Sequence, residues 1–278
     1  MSLVAALLGG AKSKTVSSIS FDARSPRYRY SKGRASGLRA TSLLTCMLPT
    51  YISKPLPHPN SSTDPDWHEW EDFIAAERIP ACDDLVVRCY QNVEHHSDYM
   101  PSNELNHLLN LRHFGDVGPY AELAVDRYGL EDDEEEHPTT ATTEALEAVF
   151  SQKSCRFTAD SVVFKGVSFE PFYAIHKFDS IEKDVHIEFP GFVSTTVCRE
   201  KALDFVGSYG VLLVIRGLDA VDCIVPRNSS VQTTTNAQVP EHEVLLRRGV
   251  KMGVERVVPK SGSAPREVHL RVVPPTAD

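Results

Sequence analysis

Several things are missing from this sequence. No apolar run approaches the ~20 residues that a membrane-spanning helix needs, so no integral membrane association is expected. The apolar start from Leu3 to Leu8 is short and has no basic residue before it, a poor match to a secretory signal. The six cysteines (Cys46, Cys82, Cys89, Cys155, Cys198 and Cys223) form no Cys-x-x-Cys and none pairs with histidine at zinc spacing. Free thiols in a reducing compartment are expected, with neither a disulfide framework nor a structural metal. There is no Walker loop, no Gly-x-Gly-x-x-Gly and no Gly-x-Ser-x-Gly. Those absences argue against P-loop and dinucleotide-fold nucleotide binding and against an α/β-hydrolase.

Acidic residues are nearly missing from the first 60 positions. Nine Lys/Arg there face only Asp22, a balance of +8 that leaves −17 for the rest of a chain whose net charge is −9. Ten serines and the proline-rich stretch Lys54–Pro59 accompany them. Little apolar periodicity repays the entropy of ordering this segment, so residues 1–64 read as a flexible basic leader. A solvated tail, an organelle transit peptide and a leader taken up by a secretion machine all share this composition. Nucleic acid is not an expected partner, because phosphate repels the acidic remainder.

From Asp66 the pattern turns helical. Asp66-Trp67-His68-Glu69 reads as a helix start after Pro65, with acids at the positive end of the helix dipole. Leu85–Tyr90 is apolar, and Leu105, Leu108, Leu109 and Leu111 share a helical face within 103–114. The acidic run 131–137, closed by Pro138, reads as a solvated loop, and Thr143–Phe150 as a short helix facing inward with Leu146, Val149 and Phe150. From 153 on, strands are expected at 161–167, 211–216, 243–246, 251–258 and 267–273, with a turn followed by a strand over 189–197 and a short helix at 199–206 whose Ala202, Leu203 and Phe205 face in. Helices first and strands after give an α+β class, with 65–152 helical and 153–278 β-rich.

Three pieces in the back half stand in order: Val163-Phe164-Lys165-Gly166, then Phe189-Pro190-Gly191-Phe192-Val193-Ser194-Thr195-Thr196, then Glu241-His242-Glu243 leading a strand. Together they resemble the mono-ADP-ribosyltransferases of the arginine–serine–glutamate class, the class of bacterial toxins and effectors. The resemblance covers roughly 85–275, and Tyr90 with Asn106-His107-Leu108-Leu109 fits it loosely. It implies a split β-sheet core, preceded by a helical part, that takes NAD as substrate without a metal.

The resemblance assigns Glu243 to the catalytic carboxylate, held against the NAD ribose to stabilise positive charge as nicotinamide leaves. Ser194 is the serine that fixes that carboxylate. Glu241, two residues earlier, shares Glu243's face if the chain is extended, and can position or deprotonate an incoming nucleophile. A first-position glutamate implies an arginine side chain on a host protein as acceptor. Lys165, Gly166, Phe192, Ser194, Thr195 and Thr196 are the implied NAD contacts, with Phe189 an alternative to Phe192 beside the nicotinamide. The polar stretch 226–240 is the expected substrate-reading loop.

Lys165 stands where that class has arginine. Lysine keeps the charge and loses the bidentate fork; Arg156 is the nearest substitute in sequence. The leader with such a domain resembles an effector secreted into a host cell, plant-pathogen effectors being the comparison. Two other readings stay open: a catalytically weakened member that binds a partner without modifying it, and an NAD glycohydrolase. His95-His96 reads as a surface pair rather than a metal site, since adjacent side chains diverge.

Overall fold

The computed structural model describes residues 48–57, 67–80, 82–114, 136–168, 176–178, 180–207, 210–227, 230–232, 238–240 and 242–275. All fall within one compact unit, 45–278. The front half supplies four helices among the described residues: α1 (Trp67–Ala76), α2 (Leu85–Tyr90), α3 (Ser102–Phe114) and α4 (Glu136–Lys153). In α3 the leucines three and four residues apart, Leu105, Leu108 and Leu109, are buried as their spacing requires. Helix α4 is longer than its apolar stretch suggested. It starts at Glu136, inside the acidic run read as loop, and Pro138 sits in its first turn, where a missing amide proton breaks no helical bond. Residues 131–135 lie outside the described part.

Strands of the back half, joined by one from ahead of α1, form a mixed ten-stranded sheet in the order β1-β2-β7-β10-β5-β3-β6-β12-β11-β4. Its members are β1 (Thr50–Tyr51), β2 (Cys155–Arg156), β3 (Val163–Val167), β4 (His186–Phe189), β5 (Val193–Thr196), β6 (Val211–Arg216), β7 (Cys223–Ile224), β10 (Glu243–Leu246), β11 (Val250–Val258) and β12 (Arg266–Val272). A separate ribbon pairs β8 (Ser230–Gln232) with β9 (Gln238–Pro240), within the stretch expected to read substrate. The fold is α+β, as the order of periodicities implied. The short helix α5 (Arg199–Asp204) follows β5 directly.

The two faces of the sheet have different covers. Val163, Val193, Leu213, Val244, Leu246, Met252 and Leu270 point into one large core, which Trp70 of α1 also enters. On the other face, Leu245 and Ile224 meet α2, α3 and α4 through Tyr90, Leu105, Leu146 and Phe150. Further along that face, Leu212 and Val214 meet Ala202 and Val206 at α5. Each such buried side chain contributes roughly 1.5–3 kcal/mol of transfer free energy. Gly166 on β3 exists for this packing: a Cβ there would lie 2.1 Å from the Ala202 carbonyl oxygen.

Two readings need correction. Part of the stretch taken as flexible leader is structured: Thr50 and Tyr51 pair in parallel with Cys155 and Arg156, and Ile52 and Leu56 are buried. Positions 1–47 and 58–66 lie outside the described residues. Phe205, expected to face in, is the residue that caps α5 after Asp204 and is 52% exposed. The five described cysteines are buried free thiols.

Candidate active site

Strand β10 places Glu243. It pairs antiparallel with β5, with Glu243 opposite Thr196 and Leu245 opposite Ser194, so Ser194 and Glu243 are diagonal neighbours on one face. The Ser194 hydroxyl donates to Glu243 Oε1 at 2.6 Å. The other oxygen is also held: Gln91 Nε2 donates to Oε2 at 2.6 Å. Glu243 is only 4% exposed. Burial raises its carboxyl above the ordinary value of 4.5, while the Ser194 and Gln91 bonds and the charge of Lys165 pull the other way. A carboxylate fixed at both oxygens and largely stripped of water suits a site where positive charge develops.

Lys165 lies where β3 and β5 separate. The two strands share one register pair, Phe164 opposite Thr196, and part beyond it. From there Lys165 Nζ donates to the Ser194 carbonyl at 3.3 Å. The structure thus brings Lys165, Ser194 and Glu243 together. Arg156 is elsewhere: on β2, two strands from β10, its Nε bonds Asp222 at 2.8 Å, so it is not the cation beside Glu243.

The aromatic positions fall out differently. Phe192 is buried against the helices, stacked on Phe150 at 5.6 Å and edge-on to Tyr90 at 6.0 Å. Phe189 lies in the opposite core. Neither ring is open to a ligand, because both complete cores that the helices and strands close over. Thr195 also departs from expectation. Alternation turns it away from Glu243, and its hydroxyl donates to the Val244 carbonyl at 2.5 Å. Thr196 is on the Glu243 side, where its oxygen accepts from the Cys198 amide at 3.0 Å and so shapes the entry to α5. Gly166 faces α5, as described above.

Glu241 lies outside the described residues, as do 228–229 and 233–237 of the expected substrate-reading loop. His242 has φ +47, so the chain between the two glutamates is not the regular extended strand that the face-sharing expectation assumed. Its imidazole turns to the back, 6.0 Å from the Trp70 ring, away from the Glu243 carboxylate. His96 is exposed beside Asp98, and no group of three potential metal ligands occurs among the described residues.

The sequence reading missed Gln91, although the residue before it was noticed. Tyr90 is fully buried, and its hydroxyl accepts from Asn106 Nδ2 at 2.8 Å and donates to the Phe192 carbonyl at 3.4 Å. This network ties α2 and α3 to the segment leading into β5. Gly191 makes room there, since a Cβ would lie 2.4 Å from Asn106 Oδ1 and displace that side chain. Only the position directly after an anchored tyrosine hinted at Gln91.

No family model matches the chain, and no curated protein matches it. Solved structures do show likenesses. The chain is similar to an ADP-ribosyltransferase from Clostridium botulinum at 10% identity, covering 74% of this chain and 96% of that one, TM-score 0.47. It is similar to the Vis toxin from Vibrio splendidus at 14% identity, covering 81% and 91%, TM-score 0.37. Exoenzyme S from Pseudomonas aeruginosa, solved with human 14-3-3 protein beta and carba-NAD, gives 17% identity over 67% and 78%, TM-score 0.33. The first two of these neighbours are ADP-ribosyltransferases. At such identities and TM-scores the likeness assigns no residue, and what Glu243 does is read from its own surroundings.

Proposed function

We propose that the protein transfers ADP-ribose from NAD to an arginine side chain of a target protein. The observation that carries this reading is Glu243 itself: a buried carboxylate with Ser194 on one oxygen and Gln91 on the other, and the Lys165 cation nearby. The donor set fits a dinucleotide, with a carboxylate for a ribose hydroxyl and an ammonium for phosphate. NAD supplies a glycosidic bond whose cleavage releases nicotinamide with the bonding electron pair. Glu243 stabilises the cationic ribose and orients its 2′-hydroxyl. Ser194 and Gln91 keep that carboxylate in place so that little reorganisation is needed as charge develops. Glu241 is assigned to receiving the proton that the attacking guanidinium nitrogen loses. The basic, acid-poor composition of the first 60 positions supports a protein secreted into a host cell.

Lys165 in place of arginine supports a second reading, a partner-binding member with weakened chemistry, because its ammonium already bonds the Ser194 carbonyl. One experiment separates the two. Purified protein is incubated with labelled NAD and host-cell lysate beside Glu243→Gln. Label on a protein band, absent with the variant and released by hydroxylamine, supports arginine transfer. Absence of both protein labelling and free ADP-ribose removes the enzymatic reading and leaves the binding one.

A further inference from the structure

The Gln91 side chain is polarised in an informative way. Its Nε2 sits 2.6 Å from Glu243 Oε2. Its Oε1 is buried with no hydrogen-bond partner among the described residues. With Glu243 ionised, the amide orientation is fixed by chemistry: turned over, it would press two oxygens together at that distance. A buried acceptor left unsatisfied costs about 1–3 kcal/mol, and such a group in a native fold calls for an explanation. The backbone cannot relieve it. Gln91 caps α2, its amide bonding the Val87 carbonyl, and the preceding Tyr90 is locked by Asn106 and the Phe192 carbonyl. The helix end therefore delivers one donor to one carboxylate oxygen, and no described residue meets the other half of the amide.

We propose that Gln91 is a positioning residue for the reaction, holding Glu243 Oε2 so that Oε1 and Oε2 are each fixed by a separate element, β5 through Ser194 and α2 through Gln91. Transition-state charge is then met by a carboxylate that does not rotate, and its ionised form is favoured by the Gln91 donor. The proposal rests on Glu243 being the catalytic carboxylate, and the experiment distinguishes the two.

The full chain is made with carbon-13 glutamate as Gln91→Met, which keeps length and volume and removes the donor. Glu243 is assigned by its disappearance in Glu243→Gln. The carboxyl titration should move to higher pH. In NAD turnover, kcat should fall about 10- to 150-fold, the range expected for a charged hydrogen bond. KM for NAD should change less than threefold, and the acid limb of the pH profile should move up with the titration. A folded Gln91→Met with unchanged titration and acid limb overturns the proposal. If the titration moves but the wild type turns over no NAD, Gln91 holds the carboxylate and it is the catalytic reading of Glu243 that fails. Should Gln91→Met not fold, Gln91→Asn, polar but too short to reach, is judged by the same outcomes.

Discussion

Replacing Ser194 with alanine removes one atom and one bond at the centre of the site. The lost contact is the 2.6 Å hydroxyl donation to Glu243 Oε1. Hydrogen bonds to charged groups contribute about 1.5–3 kcal/mol, which converts to a roughly 10- to 150-fold loss in kcat/KM. The lower part of that range is expected, because Gln91 still holds Oε2. The backbone should not move: Ser194 keeps its place opposite Leu245, and alanine fits the same strand face. Loss of a donor to the charged form raises the Glu243 carboxyl further above its ordinary value, in the direction burial already drives it. The assay is NAD consumption with a protein or small guanidine acceptor, followed from pH 4 to 9. The acid limb should shift to higher pH, and Ser194→Thr, which keeps a hydroxyl, should recover part of the rate. A Ser194→Ala protein with unchanged kcat/KM and an unchanged acid limb would refute the account of the site.

Three more outcomes follow. Glu243→Gln should abolish turnover and raise thermal stability at pH 7. Because the folded value is raised, the protonated form is what the fold favours; that contribution is complete below about 4.5 and lost as pH rises, so the variant's advantage should vanish near pH 4. Gly166→Ala puts a methyl 2.1 Å from the Ala202 carbonyl oxygen and 2.9 Å from Phe205 Cβ. Overpacking of that kind costs about 1–3 kcal/mol, and a Tm drop of roughly 2–10 °C by calorimetry checks it. Burial lowers His176 from 6.5 to about 4, so folding keeps it neutral. Stability it contributes is present above 6.5 and lost as pH falls through 4, and His176→Phe should flatten urea-unfolding stability across that window.

The strands and helices were largely legible because burial imposes periodicity. Leu105, Leu108 and Leu109 repeat at helical spacing, and Leu213 and Leu246 lie in short apolar runs of the length a sheet buries on both faces. The two-residue strands β1, β2 and β7 were not legible, since pairs such as Thr50–Tyr51 carry no period and exist only where a neighbour offers hydrogen bonds. The start of α4 was hidden by its charge. Acidic side chains read as loop, and nothing local reveals that Thr139 and Thr142 will be buried.

By itself the sequence determined the α+β order, the apolar faces and the spacing that puts Ser194 and Glu243 on candidate strands, because these depend on residue type along the chain. Tertiary structure decided the rest. Register turned Thr195 away from Glu243 and set Ser194 diagonal to it, packing closed the cores over Phe189 and Phe192, and a salt bridge held Arg156 to Asp222. It also brought Gln91 to a carboxylate 152 positions away. Such contacts arise from how elements fit in three dimensions, and one-dimensional patterns hold no record of that fit.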